Sequence, residues 1–212
     1  MGRAVEYVRE LSEPGSTALI MWDFQVGLAG RAENRESLVA TARLLLDAAD
    51  AAGIPVTWSR HTLPLPEHST PGMQYFMMQK QQVTTVGEIK PFMLVGSPER
   101  EFLPELPPRD HDTVIDKSTP SFFVGTTLQQ QLSSGAVRTL VFAGVATEIG
   151  VDLSAKHALA LGYVPVVVAD GVGTYTTERQ QIGLAALETW IPVLTADEII
   201  GLWTESHGGD GP

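Results

Sequence analysis

Short runs of apolar, often β-branched residues recur along the chain and predict the strands of a sheet. Most of these runs are continuously apolar rather than alternating, which is typical of strands that are covered on both faces. The predicted strands are residues 17–24, 54–61, 112–118, 138–145, 164–171 and 191–195.

The segments between the strands carry apolar residues three and four positions apart, which predicts helices. The clearest are residues 34–53, 126–135, 151–161 and 177–190. Strands that alternate with helices predict βαβ units and a parallel sheet with helices on both faces. We therefore expect a three-layer α/β/α fold with a mostly parallel six-stranded sheet.

One segment, residues 62–111, interrupts this alternation. It contains eight prolines and the stretch MQYFMMQKQQ, which predicts a short helix inside a long excursion. Long excursions in compact domains are often lids or interface segments, so we expect this one to form part of a pocket wall or a contact between copies of the chain. We expect residues 1–212 to form one domain with its core at about 17–195, and residues 206–212 to be a flexible tail.

The composition narrows the possible functions. With 14 Lys and Arg against 25 Asp and Glu, the formal net charge is −11, which argues against nucleic acids and anionic membranes as partners. The chain contains no cysteine, so disulfides, thiolate metal sites and cysteine nucleophiles are excluded. No apolar run approaches the ~20 residues of a membrane span, and the N-terminus lacks the apolar segment of a secretion signal. We therefore expect a cytoplasmic protein.

Polar residues at the ends of predicted strands are the candidates for a functional site, because ligands bind at the carboxyl ends of the strands in an open parallel sheet. Asp23 ends the first strand and Lys117 ends the third. The ammonium group favours an ionised Asp whereas burial favours the neutral acid, so these two residues are a candidate acid–base pair. Residues near the strand ends that could line a pocket are Trp22, Phe24, Arg60, His61, Phe122, Phe123 and Thr147.

Three stretches of the sequence together resemble one family. They are ALIMWDFQVG, DKSTPSFFVGTTL and LVFAGVATEIGVDLSAKHALALGYVPVVVADG, and they are similar to the isochorismatase-like hydrolase superfamily, also called the cysteine hydrolases. The resemblance implies a catalytic Asp, Lys and Cys, of which the Asp falls on Asp23, the Lys on Lys117 and the Cys on Gly150. The family's oxyanion donors, backbone N–H groups beside a cis peptide, would fall on Val145, Ala146 and Gly150.

Gly150 has neither a thiol nor a hydroxyl, so no covalent acyl-enzyme can form at this position. Three interpretations stay open. The first, implied by the resemblance to isochorismatases, is hydrolysis of a vinyl ether such as isochorismate, with Asp23 protonating the enol carbon. The second is hydrolysis of another small substrate, with Asp23 as general base on water. The third is a catalytically inactive member that binds a small molecule.

The expected partner is a small-molecule substrate, and neither hydrolytic scheme requires a metal or cofactor. Arg31, Arg60, His61 or Lys80 could bind an anionic substrate, although no motif marks them. Members of the resembled family usually assemble as dimers or tetramers, and the stretch MQYFMMQ would suit such a contact. We therefore expect a homo-oligomer.

Overall fold

The computed structural model describes residues 2–205, so the predicted tail at 206–212 lies outside the described residues. All neighbouring strands of its six-stranded sheet run parallel, in the order β3-β2-β1-β4-β5-β6. The strands are β1 (Thr17–Trp22), β2 (Val56–His61), β3 (Thr113–Lys117), β4 (Thr139–Val145), β5 (Val164–Gly173) and β6 (Val193–Leu194). The predicted α/β/α fold is confirmed, with a sheet that is wholly rather than mostly parallel.

Helices cover both faces of this sheet. Within residues 2–205 they are α1 (Gly2–Leu11), α2 (Arg35–Ala51), α3 (Pro71–Gln81), α4 (Leu128–Ser134), α5 (Asp152–Ala160), α6 (Thr177–Glu188) and α7 (Ala196–Glu205). The four helices predicted from periodicity correspond to α2, α4, α5 and α6, and the short helix of the excursion is α3. Helices α1 and α7 were not among the predicted helices. No helix in this range combines the length and apolar character needed to cross a membrane.

Two hydrophobic cores lie on opposite faces of the sheet, because successive side chains of a strand point to opposite sides. In β1, Leu19 and Met21 enter the core under α2 and α7, whereas Ala18, Ile20 and Trp22 enter the core under α4, α5 and α6. Burial on both faces explains why the strand sequences are continuously apolar.

The excursion at 62–111 forms a small core of its own. Its buried members are Leu63, Met73, Met77, Ile89 and Met93. Helix α3 begins at Pro71, and the Thr70 hydroxyl caps it by accepting a hydrogen bond from the Met73 N–H. Since Met73 and Met77 face inward, these two methionines cannot form the contact between copies expected from MQYFMMQ, and a homo-oligomer stays a prediction.

Candidate active site

The centre of the candidate site is a buried ion pair at the carboxyl ends of β1 and β3. Asp23 follows β1 directly, and Lys117 is the last residue of β3. The Lys117 Nζ lies 2.7 Å from Oδ2 of Asp23, and the two side chains are only 1% and 6% exposed, respectively. Because β2 lies between β1 and β3, the long lysine side chain crosses one strand to contact the carboxylate.

Ser59 of β2 holds the carboxylate from the other side. The Asp23 N–H donates to Ser59 Oγ at 3.0 Å, and the Ser59 hydroxyl donates to Asp23 Oδ1 at 2.5 Å. Asp23 has a φ of +50°, a left-handed conformation that Asp tolerates better than most residues. With one oxygen bonded to Ser59 and the other to Lys117, the carboxylate is held in one orientation.

Burial shifts the protonation equilibria of this pair. Burial raises the pKa of Asp23, although the charge of Lys117 and the hydrogen bonds from Lys117 and Ser59 oppose the shift. Burial lowers the pKa of Lys117, and Asp23 opposes that shift. Both shifts bring the neutral and ionised forms of the pair closer in free energy than they are in water. Placing a proton on Asp23 therefore costs less than in solution, which brings the protonation of this carboxyl group closer to balance, as a general acid or base requires.

His61, the last residue of β2, is the second partner of the lysine. Its Nδ1 lies 3.3 Å from the Lys117 Nζ. Burial, and then the charge of Lys117, hold the pKa of His61 well below its ordinary value of 6.5, so the imidazole is neutral at pH 7. An ammonium group can only donate, so we assign the proton of the neutral ring to Nε2 and the acceptor to Nδ1.

A cavity of about 780 Å³ opens at this pair. The excursion supplies much of its apolar lining, namely Leu63, Met73, Phe76, Met77, Val83, Pro91 and Phe92. Three further cations, Arg31, Lys80 and Lys90, also line the cavity. Within residues 2–205, no three His, Asp or Glu side chains are grouped closely enough to hold a metal ion.

The end of β4 and the segment after it line the cavity with Val145, Ala146, Ile149 and Gly150. The peptide between Val145 and Ala146 is cis, and Thr147–Val151 forms a single π-helical turn before α5. The Ala146 carbonyl accepts hydrogen bonds from the N–H groups of Ile149 and Val151 at 3.2 and 3.3 Å. The Ala146 N–H donates to no group in the described part of the chain. Because Ala146 lines the cavity, this N–H is a candidate donor to a ligand.

Gly150 lies against the indole of Trp22. A Cβ atom at Gly150 would lie 2.5 Å from Nε1 and 2.7 Å from Cε2 and Cζ2 of Trp22. Protein interiors are close-packed, but non-bonded carbon atoms do not approach this closely. Glycine costs a helix about 1 kcal/mol relative to alanine, and the position of the indole explains why a glycine stands here.

Comparisons with known proteins identify the family to which this fold and sequence belong. The model of the isochorismatase domain matches residues 17–198. The chain belongs to the isochorismatase family. One relative, the ureidoacrylate amidohydrolase RutB of Pseudomonas syringae pv. syringae (strain B728a), is 28% identical over 196 residues, covering 84% of this chain and 79% of that protein. The uncharacterized isochorismatase family protein YwoC of Bacillus subtilis (strain 168) is 36% identical over 84 residues, covering 40% of this chain and 44% of that protein.

Solved structures share the isochorismatase-family fold with this chain. A cysteine hydrolase from Pseudomonas syringae pv. phaseolicola 1448A superposes with a TM-score of 0.78 at 22% identity, covering 91% of this chain and 94% of that chain. The N-carbamoylsarcosine amidase from Thermoplasma acidophilum gives a TM-score of 0.68 at 20% identity, covering 86% of this chain and 97% of that chain. At these identities the likeness establishes the fold alone.

Most of the residues singled out in the sequence lie together in this isochorismatase-family structure. The cavity is lined by Trp22, Asp23, His61, Lys117, Val145, Ala146 and Gly150. Arg31 and Lys80, considered above as anion ligands, also line it. The structure thus gives the location of these residues, while their roles in a reaction stay predictions.

Three aromatic residues expected near the pocket are core residues instead and do not line the cavity. Phe24 is fully buried and packs edge-on against Trp58, with ring centroids 6.0 Å apart. Phe122 and Phe123 lie in the core under α4, α5 and α6. Adjacency to Asp23 or Lys117 in the sequence does not place a side chain in the cavity, because neighbouring side chains point in different directions.

Arg60 and Thr147, also expected near the pocket, are likewise not part of the cavity wall. Arg60 faces Asp116, its partner in the β2–β3 register, and its Nε donates to Asp116 Oδ1 at 2.6 Å. The next pair in that register, His61 and Lys117, points to the other face. Thr147 is fully buried, with its hydroxyl 2.7 Å from the Gln180 Oε1.

Sequence reasoning missed Ser59, Lys90 and Tyr175. Ser59 stands two positions before His61 in β2, so the period of two along a strand could have placed both on one side. Tyr175 follows β5, and burial, with the negative charges of Asp23 and Glu148, raises its pKa. No pattern in the sequence marks Lys90 or Tyr175, because both enter the cavity from loops.

Proposed function

We propose that this isochorismatase-family chain is a hydrolase that cleaves a small anionic substrate without a covalent cysteine intermediate. The observation that carries this proposal is the buried Asp23–Lys117 pair, which lies in a cavity of a chain that contains no cysteine. Gly150, on which the resemblance places the family cysteine, offers no nucleophile. Asp23 therefore performs the proton transfer.

Hydrolysis of a vinyl ether is the reaction that these groups support best. Protonated Asp23 gives its proton to the terminal carbon of the enol ether, and positive charge develops at the ether carbon and oxygen. Water adds to that carbon, a proton returns to Asp23, and the hemiketal separates into a ketone and an alcohol. Burial of Asp23 favours the protonated form that this reaction needs. Lys117 and Ser59 then stabilise the carboxylate that remains.

Hydrolysis of an amide or ureido bond is the second candidate, and the candidate N–H donor of Ala146 favours it. In this reaction the ionised Asp23 takes a proton from water as the water attacks the carbonyl carbon. The oxyanion that forms accepts a hydrogen bond from Ala146. As this intermediate collapses, the C–N bond breaks and Asp23 returns the proton to the departing nitrogen, which regenerates the carboxylate. Two of the similar proteins are named as an amidohydrolase and an amidase, which supports keeping this bond class in the first assays.

An anionic group on the substrate is supported by the cations that line the cavity. Arg31, Lys80 and Lys90 are exposed, whereas Asp23 and Lys117 are buried. Arg31 lies over the ring of Phe92 and Lys80 over the ring of Phe76, but within residues 2–205 none of the three cations forms an ion pair. A carboxylate bound by these cations would leave the uncharged, reacting part of the substrate beside Asp23.

The test is turnover of isochorismate and of ureidoacrylate by the purified chain, followed as release of pyruvate and of ammonia. We expect wild-type turnover of isochorismate and a rate about 100-fold or more lower in Asp23→Asn, which keeps the shape of the side chain but cannot transfer the proton. Asp116→Asn is the matched control, because Asp116 lies outside the cavity and should leave turnover unchanged. Equal turnover by wild type and Asp23→Asn would refute the role of Asp23. Binding of both compounds without turnover of either would make the chain a small-molecule binding protein instead.

A further inference from the structure

We propose that Trp22 is the positioning residue of this site, whose indole fills the space beside Gly150 and whose ring face holds the Lys117 ammonium next to Asp23. The kinetic consequence of this proposal rests on the proposed function. Its packing consequence does not, because the fit of Trp22 against Gly150 is independent of any reaction.

The indole is held from several directions. Trp22 is 1% exposed, and Phe122 contacts it edge-on, with ring centroids 5.5 Å apart and an interplanar angle of 85°. Gly144 pairs with Trp22 across the sheet, and a Cβ at Gly144 would overlap the Trp22 carbonyl oxygen. Gly144 thus leaves room for the backbone of residue 22, and Gly150 leaves room for its indole. A side chain at position 150 would meet this indole at less than van der Waals distance and would have to displace it from its contact with Phe122.

The same indole contacts the catalytic pair. The Lys117 Nζ lies 4.2 Å from the centroid of the Trp22 ring and 2.7 Å from Asp23 Oδ2. A cation is attracted to the face of an aromatic ring, most strongly to tryptophan and when water is excluded. Trp22 therefore stabilises the charged ammonium, which burial disfavours, and restricts where Nζ can lie. Removing the ring should let the pair lose a proton at lower pH.

The packing of Trp22 against Gly150 is tested by a double-mutant cycle, measured by urea unfolding at pH 7. We expect Gly150→Ala to lower the unfolding midpoint in the wild-type background, because its methyl group meets the indole. In the Trp22→Leu background the same change should be neutral or raise the midpoint, because alanine is the better helix former. Equal losses in the two backgrounds would overturn the fit between Trp22 and Gly150.

A helix glycine with free space around it provides the control. Gly201 lies within α7, and no atom is within 4 Å of the Cβ that it lacks. Gly201→Ala should therefore raise the midpoint in both backgrounds. If Gly150→Ala does not fold, the double variant Trp22→Leu/Gly150→Ala should still fold, and failure of both would contradict the proposal.

The contact between the Trp22 ring and the Lys117 ammonium is tested by the pH profile of turnover in Trp22→Phe and Trp22→Leu. We expect the alkaline limit of activity to move to lower pH by about one unit in Trp22→Leu, and to stay near the wild-type limit in Trp22→Phe, which keeps a ring under Nζ. If Trp22 only supported the fold, Trp22→Leu would lower the rate without changing the pH at which activity falls on the alkaline side. An unchanged alkaline limit in Trp22→Leu would overturn the proposed contact between Trp22 and Lys117.

If neither test substrate is turned over, the proposed function is refuted independently of Trp22. The effect of Trp22 on the protonation of the Asp23–Lys117 pair is then measured from the pH dependence of stability. The difference in unfolding midpoint between Trp22→Leu and Trp22→Phe should change with pH over the range in which the Asp23–Lys117 pair loses its proton. A difference that is constant with pH would overturn the link between Trp22 and Lys117 without reference to any substrate.

Discussion

Lys117→Met is expected to destabilise the chain strongly at neutral pH and much less in acid. The substitution leaves the Asp23 carboxylate buried, with Ser59 as its remaining side-chain partner. Removing one member of a buried ion pair typically costs about 3–5 kcal/mol, because the remaining charge is uncompensated.

The carboxyl group can limit this cost by taking up a proton. From its ordinary pKa of 3.8, protonating Asp23 costs about 1.36 kcal/mol for each pH unit above that value. The charge-related loss can therefore reach about 4 kcal/mol at pH 7 but only about 1.6 kcal/mol at pH 5. Without Lys117 the folded-state pKa of Asp23 rises further, so this loss is absent below pH 3.8 and grows as the pH rises towards that folded-state pKa.

Urea unfolding of wild type and variant at pH 5 and pH 7 measures this difference. The double variant Asp23→Asn/Lys117→Met has no buried charge at this site and should regain most of the stability lost at pH 7. Lys156→Met is the matched control, because Lys156 forms an i,i+4 pair with Asp152 at the surface, and its loss should cost about 0.5 kcal/mol or less. Equal losses at the two pH values, or a double variant as unstable as Lys117→Met, would refute the reasoning.

Two further predictions concern the residues around this pair. Because the folded-state pKa of His61 lies well below 6.5, wild type should lose stability as the pH falls below about 6.5, and His61→Asn should lose less between pH 7.5 and pH 5 in urea unfolding. Thr147→Val should lower the free energy of unfolding by about 1–3 kcal/mol, because the buried hydroxyl lies within hydrogen-bonding distance of the Gly173 carbonyl and the Gln180 amide oxygen. An equal acid loss in His61→Asn, or an unchanged unfolding midpoint in Thr147→Val, would contradict the corresponding prediction.

The sheet could be predicted from the sequence because burial on both faces leaves continuous apolar runs. Helix α7 was not predicted, although Ile199, Leu202 and Trp203 are buried in the core that also contains α2 residues. These residues stand three and four positions apart, the spacing that predicts a helix, so the pattern was present and the prediction missed it. Helix α1 was missed as well, although Ala4, Val8 and Leu11 stand four and three positions apart in the sequence and give it one apolar face, on which Val8 is buried.

The meeting of Asp23 and Lys117 could be predicted because parallel strands bring their carboxyl ends to one edge of the sheet. The residues of the cavity wall could not be predicted in the same way. Phe24 and Arg60 are adjacent in sequence to residues that line the cavity, but their own side chains point away from it. The fit of Trp22 against Gly150 involves two segments 128 positions apart and depends on one side-chain rotamer. Neither propensity nor spacing encodes a contact of that kind.

The chain also contains an ion pair that lies outside the cavity, between Arg100 and Asp116, and its contrast with the Asp23–Lys117 pair bears on the proposed function. Arg100 is largely buried, but it bonds both oxygens of Asp116, whose side chain is 47% exposed, so water still solvates that carboxylate. The side chains of Asp23 and Lys117 are both buried. Stability alone does not require such a pair, because a protein in which apolar residues of similar volume replace a buried ion pair is often equally stable. The buried pair also lies in a cavity beside three cations without ion-pair partners in the described part of the chain. The proposed proton-transfer role at Asp23 would account for both the burial and the location of this pair.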